Sequence, residues 1–311
     1  MVDASADMTI LEQVSLAPLT AWRIGGPARY LATVRSAHGV RQALEFAARL
    51  QLPVWVLGGG SNLLISDAGL AGVVIRMRDT HMDIVTTGSG SASVEVGAGA
   101  PMAKSVRQLV AAGWQGLEWA EGLPGTLGGA VYGNAGCYGG DMAGVVRRVQ
   151  VWQAGRLEEW ETTQMGFAYR TSTLKQSNMS RMQMGMQVAD VGPLVVGATL
   201  AVVQADPHQL AAIMANTAAL RKGKTPQGSS CGSVFKNPPG ESAGRLIEAA
   251  GLKGYRHGGA QVADKHANYI VNVGGATSAD VRAVVAHIQQ RVMEYCGVYL
   301  EPEVQILGEA W

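Results

Sequence analysis

Apolar side chains recur at Val40, Ala43, Leu44, Ala47 and Leu50, spacings of three and four that predict one buried helix face. The run Val54-Trp55-Val56-Leu57 follows, a buried strand by length and composition, and it ends in Gly58-Gly59-Gly60-Ser61-Asn62. Residues 73–75 and 94–96 predict further strands, and Pro101 suits the first position of a helix running to Gly113. Residues 149–152, the turn-like Ala154-Gly155 and the alternation beyond predict a hairpin. The pattern changes near 204, where Asp206 and Pro207 read as N-cap and first helical residue before Leu210, Ile213, Met214 and Leu220. Two more helices are predicted, one over 245–250 closed by Gly251. The other carries Val281, Val284, Val285, Ile288 and Val292 behind a capping box at Thr277 and Asp280. Residues 269–271 and 298–307 read as strands. No internal repeat or low-complexity linker is present.

Composition sharpens this α/β pattern. The 311 residues are 47% hydrophobic, enough for a packed core and incompatible with global disorder. Only 16% are charged, whereas 41 are glycine, so backbone is expected to touch a ligand. A net charge of +1 gives no field for nucleic acid or an anionic membrane. The acidic start MVDASADM lacks a signal peptide's basic region, and the longest uncharged apolar stretch, 191–203, is too short to span a bilayer. Cys137, Cys231 and Cys296 have no metal-ligand spacing, and no metal is expected. The cytoplasm is the expected compartment.

The common nucleotide fingerprints fail. A dinucleotide G-x-G-x-x-G beginning at Gly58 meets Leu63 at its sixth position. Gly223-Lys224-Thr225 resembles the end of a P-loop, but Ala218 stands where its first glycine belongs. The histidines form no H-x-x-x-H pair, and neither Ser61 nor Ser233 sits in a G-x-S-x-G elbow. What remains is anion binding by backbone. The strand-ending Gly58–Asn62 loop is one candidate; residues 122–144, with nine glycines, are the other. Tight turns and close packing are the competing explanation for the same glycines.

Six motifs in order then carry a resemblance. They are Trp22-Arg23-Ile24-Gly25-Gly26-Pro27, Leu57-Gly58-Gly59-Gly60-Ser61-Asn62-Leu63-Leu64, Gly122-Leu123-Pro124-Gly125-Thr126-Leu127-Gly128-Gly129-Ala130, Tyr169-Arg170-Thr171-Ser172, Gly232-Ser233-Val234-Phe235-Lys236-Asn237-Pro238 and Leu300-Glu301-Pro302-Glu303-Val304. Together they resemble the UDP-N-acetylenolpyruvoylglucosamine reductases across residues 20–308. The segment 266–272 and the lack of an inserted loop before Ser233 resemble the shorter, type II subclass. The resemblance implies an N-terminal extension over 1–19 and a two-lobed FAD-binding domain of the vanillyl-alcohol-oxidase (PCMH) type over 20–203. A C-terminal α/β substrate-binding domain over 204–311 would follow. FAD would be the cofactor, NADPH the co-substrate, UDP-N-acetylglucosamine enolpyruvate the substrate, and the protein a monomer.

In that family NADPH reduces the flavin, which then passes hydride to the enolpyruvyl double bond, leaving carbanion character beside a carboxylate. Such an enediolate needs positive charge or strong donors and a proton. By similarity Arg170 and Glu303 would stabilise it, Glu303 only as a donor, and Ser233 would protonate the carbon. The FAD contacts implied are Gly58, Gly59, Gly60, Ser61, Asn62, Gly122, Pro124, Gly125, Thr126, Gly128, Gly129, Asn134 and Gly136. Tyr138, Lys224 and Asn237 would meet substrate. Glu301 and Glu303 lie two apart, so strand spacing alone does not separate them. Departures from the family pattern are Gly133, Gln305 and the four-methionine segment 175–192. An FAD-dependent alcohol or hydroxy-acid oxidase and a non-catalytic UDP-sugar-binding protein are the alternatives.

Overall fold

The computed structural model describes residues 7–183 and 192–308, so much of the methionine-bearing segment lies outside the described residues. The chain forms two compact units. One contains Tyr30–Gly59 and Ala71–Arg221 with the chain up to Glu12; the other contains Gln13–Arg29, Gly60–Leu70 and the chain from Lys222. The units change over after Arg221, in the last turn of the helix Pro207–Lys224, and two earlier segments join the C-terminal unit. Part of the expected N-terminal extension is a strand, Met8–Ser15.

The first unit holds two sheets. In one, the order is Met8–Ser15, Pro27–Val34, Leu70–Met77, Val54–Leu57, the last two parallel with Val54 opposite Val73. The other is antiparallel, in the order Arg156–Glu161, Val146–Gln153, Leu194–Gln204, Ser91–Gly97, Met82–Gly88. A single apolar cluster including Val73, Ile75, Val94, Val96, Val149, Val151 and Leu200 fills the unit.

The helix Ala37–Arg49 starts where the Ser36 hydroxyl accepts the Gly39 N–H at 3.1 Å, and buries Val40, Ala43 and Ala47 as its periodicity requires. Leu50 falls beyond its last turn and is exposed, with Leu52 buried instead. The predicted hairpin closes with Gln153 opposite Arg156, and Ala154 and Gly155 both take positive φ, the turn that matches strand twist. Pro101 caps the helix Met102–Ala111 rather than opening it, because its ψ of 124° is extended. In Pro207–Lys224, Leu210 is buried but Ile213 and Leu220 are exposed, so the apolar face predicted there is narrower than its sequence.

The second unit has its own core, including Trp22, Ile24, Leu64, Phe235, Ile247, Val284 and Ile306. Fully buried Trp22 donates its indole N–H to the Ile270 carbonyl at 2.7 Å, which draws the N-terminal segment into this unit. The helix Ser278–Cys296 carries the predicted capping box, and the Asp67 carboxylate accepts the Ser278 N–H and hydroxyl at 2.8 and 2.7 Å. The strand expected over 298–307 shrinks to Gln305–Leu307, parallel to Leu63–Ile65. Pro302 has no N–H for a ladder; it instead forms an isolated bridge opposite Phe235.

Candidate functional site

In the first unit the two glycine-bearing loops meet. A Cβ built on Gly59 would lie 2.4 Å from the Gly125 Cα, a separation open only to glycine. A Cβ on Gly58 would meet the Thr126 Oγ1 at 2.7 Å, and one on Gly129 would lie 3.8 Å from it. That hydroxyl is buried and has no hydrogen-bond partner. A donor left over between two glycines suits an anionic oxygen, so these residues fit the pyrophosphate of a dinucleotide. The helix Leu127–Tyr132 following Thr126 was not predicted, since glycine weakens helices. Gly128 serves packing: its N–H goes to Ala98 O at 2.9 Å and its Cβ position meets the Ala98 Cβ. Gly122 and Gly125 take positive φ, and Pro124 is exposed beside them.

The same run builds the platform for Arg170. Tyr169 and Arg170 occupy the middle of a turn closed by reciprocal Ala168–Thr171 backbone bonds of 3.2 and 3.1 Å. The half-buried Arg170 has φ +58°, and its Nη1 donates to the Gly136 carbonyl at 2.9 Å. Asn134 is buried and committed internally, its amide donating to Ala168 O at 3.0 Å while its Oδ1 accepts the Ala143 N–H. It supports the arginine turn with a side chain that was expected at the cofactor.

Tyr138 is exposed at φ +50°, its ring 5.4 Å from the Arg221 guanidinium. Arg221 also donates to Glu121 O and to the Cys137 sulfur, each at 3.1 Å. Burial pushes the Cys137 thiol up in pKa, with Arg221 opposing.

In the second unit the segments carrying Ser233 and Glu303 are paired. The Glu303 N–H donates to Val234 O at 2.7 Å and the Lys236 N–H to Glu301 O at 2.9 Å, so the two motifs run side by side. Asn268, buried, locks the serine segment by exchanging side-chain bonds of 2.9 Å with the Phe235 backbone. Glu301 is exposed and paired with Lys236, whereas Glu303 is half-buried, which separates the two carboxylates that spacing left equivalent. The Asn62 amide donates to Glu303 O at 3.2 Å, and Gln305 N–H to Asn62 O at 3.1 Å. Hence the loop carrying buried Gly60 and half-buried Ser61 is tied to the carboxylate's own backbone.

Lys224 ends its helix exposed, and Asn237, also exposed, accepts the Ala243 N–H. The half-buried His266 imidazole is held below its ordinary pKa, first by burial and then by Lys224 and Lys253. Cys231 is buried, and burial pushes its thiol up to about 12, which disqualifies it as a nucleophile. Among the described residues no cluster of His, Cys, Asp and Glu could hold a metal, and no helix is long and apolar enough to cross a membrane.

Comparison with known proteins decides the family. A family model described as the C-terminal domain of UDP-N-acetylenolpyruvoylglucosamine reductase matches residues 224–307, and one described as an FAD binding domain matches 28–155. The UDP-N-acetylenolpyruvoylglucosamine reductase of Chloroflexus aggregans is 44% identical over 304 residues, spanning 97% of this chain and 99% of the relative. The chain belongs to the UDP-N-acetylenolpyruvoylglucosamine reductase family. The reductase of Synechococcus elongatus is 40% identical, over 97% of this chain and 95% of its own. The crystal structure of the Thermus caldophilus reductase superposes with a TM-score of 0.78 at 35% identity, covering 96% and 99% of the two chains. The protein is therefore an FAD- and NADPH-dependent oxidoreductase, with a PCMH-type FAD-binding domain followed by the reductase family's C-terminal domain.

Proposed function

We propose that this reductase-family enzyme reduces the enolpyruvyl double bond of UDP-N-acetyl-3-O-(1-carboxyvinyl)-glucosamine to UDP-N-acetylmuramate for peptidoglycan synthesis, as a cytoplasmic monomer. The observation that supports the residue assignment is the 2.7 Å bond from Glu303 N to Val234 O, by which the segments carrying Glu303 and Ser233 run side by side. FAD, when bound, supplies the terminal carbon with a hydride drawn from NADPH. The loops around Gly58, Gly59, Thr126 and Gly129 would hold its pyrophosphate. Arg170 brings fixed charge and a planar set of donors to the substrate carboxylate as electron density moves onto it. Glu303 adds a donor there, because a second anion would oppose the developing charge. The Ser233 hydroxyl delivers the proton to the carbon beside the carboxylate. Tyr138, Lys224 and Asn237 complete the contacts, Lys224 meeting phosphate.

The test is Ser233→Ala followed through both half-reactions. Flavin reduction by NADPH stays within about twofold, while reoxidation by the enolpyruvyl substrate slows by about 10²–10⁴-fold, the usual worth of a general acid. Equal loss in both half-reactions would mean that Ser233 does not donate this proton.

A further inference from the structure

A guanidinium is only as well placed as the backbone that carries it, and the Arg170 backbone adopts a conformation that L-residues avoid. Its φ of +58° at the third position of the Ala168–Thr171 turn is one where glycine is normal. Against this turn lies a lysine in an unusual place. Lys175 is only 5% exposed, and its ammonium donates to the Arg170 carbonyl at 2.9 Å. Lysine is almost never buried without a partner, because desolvating an ammonium is expensive. Its backbone N–H bonds the Ser172 hydroxyl at 3.2 Å, and that buried hydroxyl donates to Tyr132 O at 2.6 Å. The ammonium, the turn and the start of the helix Thr173–Gln183 therefore form one connected piece, anchored on the segment that follows Thr126.

We infer that Lys175 is a positioning residue for the reaction. Its ammonium pins the Arg170 carbonyl and holds the left-handed turn, so that the guanidinium, itself bonded to Gly136 O, meets the substrate carboxylate in one orientation. This rests on the proposed role of Arg170. Removing the ammonium takes away the 2.9 Å bond to the Arg170 carbonyl and weakens the hold on the left-handed turn. A shift of about 1 Å in a positioning group costs up to about 100-fold in rate.

The experiment uses the FAD-loaded enzyme and anaerobic stopped-flow. Lys175→Met keeps the length and apolar stem of the side chain while removing charge and donor. At saturating enolpyruvyl substrate its flavin reoxidation slows by about tenfold or more, with NADPH-driven reduction within about twofold of the parent. The melting temperature of the variant stays within a few degrees, and Lys175→Arg recovers most of the lost rate. The double variant Arg170→Ala/Lys175→Met is no slower than Arg170→Ala alone. Reoxidation of Lys175→Met at the parental rate beside a slow Arg170→Ala would overturn the inference, as would equal slowing of both half-reactions or additive losses in the double variant. Parental reoxidation by Arg170→Ala would instead remove the role of Arg170 itself. If Lys175→Met does not fold, Lys175→Gln is read by the same criteria.

Discussion

Replacing Gly59 by alanine tests whether the two glycine loops must abut. The added methyl would lie 2.4 Å from the Gly125 Cα, 3.0 Å from its carbonyl carbon and 3.3 Å from the Thr126 nitrogen. All three are backbone atoms, so no side chain can swing away, and reaching ordinary contact at about 3.5 Å requires the loops to part by about 1 Å. The Gly59 φ is outside the left-handed region, so the cost is steric rather than torsional. Overpacking of this kind costs about 1–3 kcal/mol. Expressed as FAD affinity, that is about 5- to 150-fold. Gly129→Ala is the partner experiment. Its methyl has nothing nearer than the Thr126 Oγ1 at 3.8 Å, and it sits in a helix, where alanine is worth about 0.5–1 kcal/mol over glycine. Urea unfolding of the FAD-free protein and fluorimetric titration with FAD separate the two effects. Gly59→Ala is expected to lose stability, FAD affinity or both; Gly129→Ala gains stability yet binds FAD at least about tenfold more weakly. Parental stability and affinity in Gly59→Ala would show that the two loops need not abut. Undiminished affinity in Gly129→Ala would refute the placement of the pyrophosphate.

Three further outcomes follow from the second unit. In the folded protein, thiol reagents label exposed Cys296 first and reach Cys231, whose pKa is pushed up to about 12 by burial, only after denaturant; equal labelling rates at pH 8 would contradict this. His266 is disfavoured as a cation by burial, then by Lys224 and Lys253, with Glu248 opposing, and its Nδ1 accepts the Asn268 N–H at 3.2 Å. The folded state therefore binds this proton less readily than the unfolded chain. The contribution is complete above the unfolded pKa of roughly 6.5 and declines as pH falls below it. The urea midpoint should drop between pH 7.5 and 5.5, and His266→Gln should flatten that slope; an unchanged slope would contradict the assignment. Asp67→Ala strips the helix Ser278–Cys296 of a carboxylate bonded to the Ser278 N–H and hydroxyl, an expected loss of about 1–3 kcal/mol by urea unfolding. A loss under about 0.5 kcal/mol would count against it.

Local pattern was enough wherever a segment's own periodicity sets its structure. The Val40, Ala43, Ala47 face, the hairpin at Ala154–Gly155 and the Thr277–Asp280 capping box all form as their spacing predicts. Long-range pairing leaves no such trace. Nothing local marks Trp22 as a member of the C-terminal core, because its indole is satisfied by the Ile270 carbonyl 248 residues away. The motif order singled out Arg170, Ser233 and Glu303, but what braces the arginine turn was hidden: Asn134 was implied as an FAD contact and Lys175 fell in the departing segment 175–192, whereas both side chains bond the Ala168–Thr171 turn. The glycines divide in the same way. Gly60 and Gly128 are required by Leu19 O and Ala98, whereas Gly129 is sterically unrestrained by the protein.

The reaction itself is tested most directly by mixing NADPH-reduced enzyme, without oxygen, with UDP-N-acetyl-3-O-(1-carboxyvinyl)-glucosamine. The absorbance of oxidised flavin is expected to return in a single turnover, with UDP-N-acetylmuramate formed in equal amount to the flavin. Absorbance that returns only when oxygen is admitted, with the sugar nucleotide unchanged, would contradict it.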